Sequence, residues 1–208
     1  MSDLRDELAE VAATFYHRGW MHGTSGNLSA RLPDGTFWVT ASGVAKGHMT
    51  RDQFLRMTVD GEILERMHDG VHPSAETSLH QATYAMDSSA GACLHVHTIE
   101  ANLLTRMGDP YLLPLAPIEM IKGFGVWEFE PRMGVQIFDN VLHVRDIAVA
   151  MAERWRDEKP EVPVVLIRDH GMSVWGKDLQ EAVNRVEVAQ YVFRYMVEAR
   201  SAGVEWWR

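Results

Sequence analysis

His95-Val96-His97 closes the apolar run Gly91-Ala92-Cys93-Leu94, and a third histidine follows far downstream in Asp169-His170-Gly171. Residues at i and i+2 of a strand project from the same face. Two imidazoles placed in that way can share one divalent ion without backbone strain. A third ligand from a distant segment would give three protein ligands and leave a position open for substrate, as in catalytic zinc sites. The chain has 10 histidines. His17, His22, His48, His68, His72 and His143 have no recognisable partner and read as surface or structural residues. His80 shares a predicted helix with Glu76 and would be a neighbour of a site rather than a ligand.

Three short segments offer a different chemistry. Thr24-Ser25-Gly26-Asn27, Ala41-Ser42-Gly43 and Pro73-Ser74-Ala75-Glu76 each combine hydroxyls, backbone N–H groups and little bulk. Ser74 opens a predicted helix, where free N–H groups and the dipole favour an anion. Together such loops would hold a phosphate; singly each is also compatible with a plain turn. None is a P-loop or a dinucleotide-binding fingerprint. Two carboxylates complete the set. Glu119 stands among apolar neighbours in Pro117-Ile118-Glu119-Met120-Ile121, surroundings that would raise its pKa and suit it to proton transfer. The alternative for Glu119 is an ordinary ion pair with Lys122. Glu76 is the second candidate.

These residues need elements to position them. Leu4, Leu8, Val11, Ala12 and Phe15 recur at helical spacing, with Ser2 as the expected cap. Asn27–Leu32 and Thr36–Thr40 flank Pro33-Asp34-Gly35 as a hairpin, and Leu55–Val59 and Ile63–Glu65 flank Asp60-Gly61 as a second. A helix is expected over Ala75–Met86, the metal strand over Ala92–His97 and a short helix over Ile99–Met107. Asp109–Pro117 reads as a loop or short strand. Gly123–Pro131 has the glycine, aromatic and charge mixture of a loop over a site. A helix over Val144–Trp155, strands over Val162–Ile167 and Met172–Trp175, and a helix over Leu179–Val197 complete the chain. Interleaved strands and helices, with several strands joined as hairpins, imply an α/β protein with a mixed or mostly antiparallel sheet. No linker, repeat or low-complexity stretch divides residues 1–208, so one domain is expected.

Composition narrows the function classes. The chain has 208 residues, 46% of them hydrophobic, and a formal net charge of −9 with no Lys/Arg-rich stretch. That balance argues against nucleic-acid and anionic-membrane binding, and an anionic substrate would need a local pocket. The single cysteine, Cys93, has no internal partner for a disulfide and lies in an apolar run, as an inert core thiol would. A charged N-terminus, Ser2-Asp3-Leu4-Arg5-Asp6-Glu7, and the lack of any apolar run near the ~20 residues of a membrane span make the cytoplasm the expected location.

Taken in order, Gly23-Thr24-Ser25-Gly26-Asn27-Leu28-Ser29, Thr40-Ala41-Ser42-Gly43, Pro73-Ser74-Ala75-Glu76-Thr77, His95-Val96-His97-Thr98 and Asp169-His170-Gly171 resemble the class II aldolase/adducin superfamily. The resemblance covers about Leu4 to Arg200. Glu119-Met120-Ile121-Lys122-Gly123 and Leu166-Ile167-Arg168-Asp169-His170-Gly171, with Val174-Trp175-Gly176, look like the branch of methylthioribulose-1-phosphate dehydratases, zinc-dependent lyases of methionine salvage. The resemblance implies a three-layer α/β/α sandwich, commonly a homotetramer. It implies one zinc per subunit on His95, His97 and His170, phosphate near Gly26, Asn27, Ser42, Gly43 and Ser74, and Glu119 as the catalytic acid/base. Some dehydratases of this type carry cysteine where Glu76 stands, whereas the aldolases carry a catalytic glutamate there. Glu76 therefore keeps a sugar-phosphate aldolase as the alternative. A non-catalytic, adducin-like interaction module would be expected to have lost part of the histidine set, which is complete here.

Overall fold

The computed structural model describes residues 3–128 and 132–205. Its strands are β1 (Asn27–Arg31), β2 (Phe37–Thr40), β3 (Phe54–Met57), β4 (Ile63–Glu65), β5 (Ala92–Val96), β6 (Leu112–Pro114), β7 (Gly134–Phe138), β8 (Val164–Ile167) and β9 (Gly171–Gly176). They form one sheet in the order β4-β3-β2-β1-β5-β9-β8-β7-β6. β7 and β8 run parallel and every other neighbouring pair is antiparallel, so the sheet is mixed and mostly antiparallel, as the hairpins implied.

Among the described residues five α-helices cover the sheet: α1 (Leu4–His17), α2 (Thr77–Met86), α3 (Ile99–Leu104), α4 (Val144–Asp157) and α5 (Leu179–Ser201). The strand alternation sorts the core into two faces. Ala92, Leu94 and Val96 of β5 pack with Leu8, Phe15, Ala101, Val186 and Phe193 beneath α1, α3 and α5. Cys93 of the same strand packs on the other side with Leu79, Tyr84, Met151 and Trp155 from α2 and α4. Helices on both faces of the sheet make the three layers. α5 illustrates why these segments are helical: Asp178 caps it by accepting from Glu181 N at 2.7 Å, and Ala182, Val186, Ala189, Phe193 and Met196 recur on one buried face. Truncating a fully buried aromatic such as Phe15 or Phe193 would cost about 3–5 kcal/mol.

Several expectations shift. Ser2 lies outside the described residues, and Asp3 caps α1 through Arg5 N at 3.0 Å. α2 begins at Thr77 rather than Ala75, because Pro73 pairs with Ala41 in an isolated bridge and Ser74–Glu76 form the turn into the helix. α3 stops at Leu104, short of Met107. β7 is a strand that the sequence pattern did not isolate; its five residues are all buried. Glu119–Phe124 form a 3-10 turn closed by Gly125 in the left-handed region, φ 88°. The remainder of the expected loop reaches residues 129–131, which lie outside the described residues.

Candidate active site

The C-terminal end of β5 meets the N-terminal ends of β1 and β9 along one edge of the sheet. Asn27 pairs with His95, and His95 pairs with Ser173. Because Cys93 faces the α2/α4 layer, His95 faces it too, and His97 joins it just beyond the strand. His97 stands one residue past the strand and is held by its N–H to Trp20 O at 2.9 Å. His170 comes from the tight turn between β8 and β9. Asp169, before it, adopts φ 53°, and that turn is clamped by the Arg106–Asp169 ion pair and by Asp169 N on Thr105 Oγ1 at 3.2 Å. Asp is among the few non-glycine residues that tolerate such a φ.

These turns bring four ligand atoms together. One atom each from Glu76, His95, His97 and His170 lies within 4.8 Å of all the others. His95 Nε2 is 3.0 Å from His97 Nε2, and Glu76 Oε1 is 3.1 Å from His170 Nε2, 3.6 Å from His97 Nε2 and 3.8 Å from His95 Nε2. His95 Nδ1 is engaged by Ser173 Oγ at 3.0 Å, which leaves Nε2 for the cluster. Burial keeps His95 neutral, well below the usual imidazole range. For Glu76 burial opposes ionisation, but hydrogen bonds from His170 and His97 help hold the carboxyl far below its usual range. A neutral imidazole with a directed Nε2 and an ionised carboxylate are what a divalent cation requires. The donor set therefore fits a divalent metal.

The three hydroxyl-rich loops also converge. Asn27 Nδ2 donates to Thr40 O at 3.2 Å, Ser42 N donates to His72 O at 2.9 Å, and the Ala41–Pro73 bridge joins the loop of Ser42 and Gly43 to that of Ser74. Gly26 has φ 82°, and a Cβ there would lie 2.4 Å from Met21 Cε and 3.0 Å from His95 O, so this loop runs hard against β5. Glu76, expected beside these loops, stands inside the histidine cluster instead.

Glu119 behaves differently from its expectation. Its side chain is 83% exposed and accepts from Lys122 Nζ at 2.9 Å. That hydrogen bond and the lysine charge hold its carboxyl below the usual range, so the raised pKa expected from apolar neighbours is not found. In a 3-10 turn neighbours point in different directions: Ile121 and Phe124 enter the core while Glu119 stays in solvent. The turn docks on α5, with Gly123 against Val188, and Glu119 is not among the ligand groups gathered around His95.

Three groups in or beside the site were missed. Ser173 buttresses His95. Lys46 is buried beside the loops and donates to Thr24 O and Val44 O. Ser29 joins His80 Nδ1 at 2.6 Å and Tyr84 hydroxyl at 2.7 Å behind the cluster. The period-two pattern of Asn27, Ser29 and Arg31 carried the only sequence signal of that last network.

A profile of the class II aldolase and adducin N-terminal domain matches residues 6–197. The chain belongs to this family. Within the class II aldolase family, a methylthioribulose-1-phosphate dehydratase of Microcystis aeruginosa is 45% identical over 199 residues, covering 96% of this chain and 97% of that protein. One of Leptospira interrogans, also called a methylthioribulose-1-phosphate dehydratase, is 36% identical and covers 94% of this chain and 83% of its own length. Among solved structures, an L-fuculose 1-phosphate aldolase superposes with a TM-score of 0.80 at 23% identity, over 98% of this chain and 89% of that one. That last likeness concerns the fold.

Proposed function

We propose that the protein is a zinc-dependent lyase that removes water from 5-methylthioribulose 1-phosphate, giving 5-methylthio-2,3-dioxopentyl phosphate, a step of methionine salvage in the cytoplasm. The observation that carries this reading is the 45% identity, over nearly the whole of both chains, to a dehydratase of that name. The gathered Glu76, His95, His97 and His170 support it chemically. No helix among the described residues is long and apolar enough to cross a membrane. One sheet with two packed faces supports taking residues 1–208 as a single unit of the family.

His95, His97 and His170 hold the zinc. Zinc bound there supplies Lewis acidity, which makes the proton on C3 of a ketose more acidic beside its C2 carbonyl. Gly26, Asn27, Ser42, Gly43 and Ser74 grip the phosphate and so fix the sugar along the loop edge. A base takes the C3 proton, the C4 hydroxyl leaves with a proton as water, and the enol tautomerises to the diketone. Glu119, kept ionised by Lys122, is the candidate base. Glu76 lies in the same cluster as the three histidines and would be a further carboxylate donor to a metal held there. Large exposed apolar side chains, Ile99, Tyr111, Trp127 and Leu142 among them, support an oligomer, taken as a tetramer.

The presence of Glu76 in the cluster favours one second reading, a sugar-phosphate aldolase that breaks the C3–C4 bond. Product analysis by NMR and mass spectrometry on zinc-loaded protein separates the two. A product lighter by one water, with diketone signals, is expected. A three-carbon keto phosphate and an aldehyde would establish the aldolase, and unchanged substrate would refute both for this sugar.

A further inference from the structure

Lysine is almost never fully buried unless it is paired. Lys46 is 1% exposed, and its ammonium donates to Thr24 O at 3.0 Å and Val44 O at 2.8 Å, both neutral acceptors. An ammonium has three N–H donors, so one remains beyond those two bonds. No carboxylate among the described residues forms an ion pair with it. Burial lowers the Lys46 pKa, and the Glu76 charge acts in the opposite direction. Glu76, however, is engaged with His170. Among the described residues Lys46 is thus a buried ammonium with no carboxylate in ion-pair contact.

Its position says which anion is missing. Thr24 belongs to the loop of Gly26 and Asn27, and Val44 directly follows Ser42 and Gly43. By drawing carbonyls from both loops onto one nitrogen, Lys46 sets their spacing and puts a positive charge in the wall they share. We infer that Lys46 is the positioning residue for the substrate's phosphate, holding the two loops together and supplying the charge that neutralises a phosphate dianion. This rests on the sugar-phosphate reading above. Charge-assisted contacts to phosphate are the strong ones.

The test uses the zinc-loaded wild type with Lys46→Met and Lys46→Arg. Titration with inorganic phosphate at fixed ionic strength gives a dissociation constant that does not depend on which sugar is the substrate. Lys46→Met should weaken phosphate binding roughly tenfold or more and raise KM for methylthioribulose 1-phosphate in parallel, while kcat stays within about threefold and zinc content is unchanged. Lys46→Arg should restore most of the phosphate affinity. Phosphate binding by Lys46→Met at the wild-type level would overturn the inference. So would equal losses in both variants, which would leave only loop packing. Should Lys46→Met not fold, Lys46→Gln keeps donors for the two carbonyls without the charge, and the same criteria apply. A wild type that binds phosphate but leaves methylthioribulose 1-phosphate unchanged would sink the proposed reaction alone; the phosphate titration still decides Lys46.

Discussion

Ser173 and His95 face each other in register across β9 and β5, with Ser173 Oγ 3.0 Å from His95 Nδ1. The pair fixes the imidazole so that Nε2, not Nδ1, is presented to the cluster. Partners of this kind set the tautomer and orientation of a metal-binding histidine. Ser173→Ala should therefore weaken zinc binding by roughly 10–100-fold while the fold persists, because the missing hydroxyl leaves little void. A chelator-competition titration measures this; wild-type affinity in the variant would show that the pair does not orient the ligand.

Glu119 and Glu76 should separate under the same substitution. Glu119→Gln should retain zinc and stability but lose turnover by roughly 10²–10⁴-fold, the usual worth of a proton-transfer group. Glu76→Gln should instead lose zinc affinity, since it removes the charged member of the donor set. Zinc content and turnover measured on both variants decide it. Near-normal turnover in Glu119→Gln would remove its assigned role.

His80 makes stability depend on pH. Burial lowers its pKa from 6.5 to about 4 in the folded protein. Between those values the unfolded chain binds a proton that the native state refuses. The contribution is therefore complete above about pH 6.5 and lost as pH falls towards 4, by at most about 1.4 kcal/mol per pH unit. His95, also kept neutral by burial, acts in the same direction in metal-free protein. Urea unfolding at pH 7 and pH 5 should show a smaller loss in His80→Gln than in wild type; equal losses would mean that the buried ring is not the source.

Gly171 permits the close contact that carries His170. A Cβ at Gly171 would lie 2.3 Å from Val96 O, a backbone atom that cannot swing aside. Gly171→Ala should push β9 from β5, cost roughly 2 kcal/mol or more in stability and displace His170 from the cluster. Thermal unfolding and zinc content should fall together. A variant with wild-type values for both would show that the strands can separate at that point without cost.

What the sequence disclosed follows from the range of each interaction. The His95 and His97 spacing is local to one strand, and the period-two rule put both on one face. The loops of Gly26, Ser42 and Ser74 announced themselves by composition. Ser173 and Lys46 did not, because their significance lies in a partner across the sheet and in two backbone carbonyls. β7 was missed because Gly134–Phe138 has no flanking hairpin, and its parallel partner β8 is reached only after α4. Glu119 was placed in the wrong surroundings because apolar neighbours in sequence were taken as neighbours in space, which a 3-10 turn does not guarantee.

The antiparallel pairing of β5 with β9 also sets the order in which the protein can be made. His95 and Ser173 are 78 positions apart, so their strands meet only after a long loop has closed. Such non-local pairing slows folding far more than the local hairpins do. Before that closure a nascent chain presents Glu76, His95 and His97 but not His170. Afterwards His170 joins the cluster from the turn before β9, and Ser173 of β9 reaches His95 Nδ1. The four-residue cluster is thereby completed only when the centre of the sheet has closed.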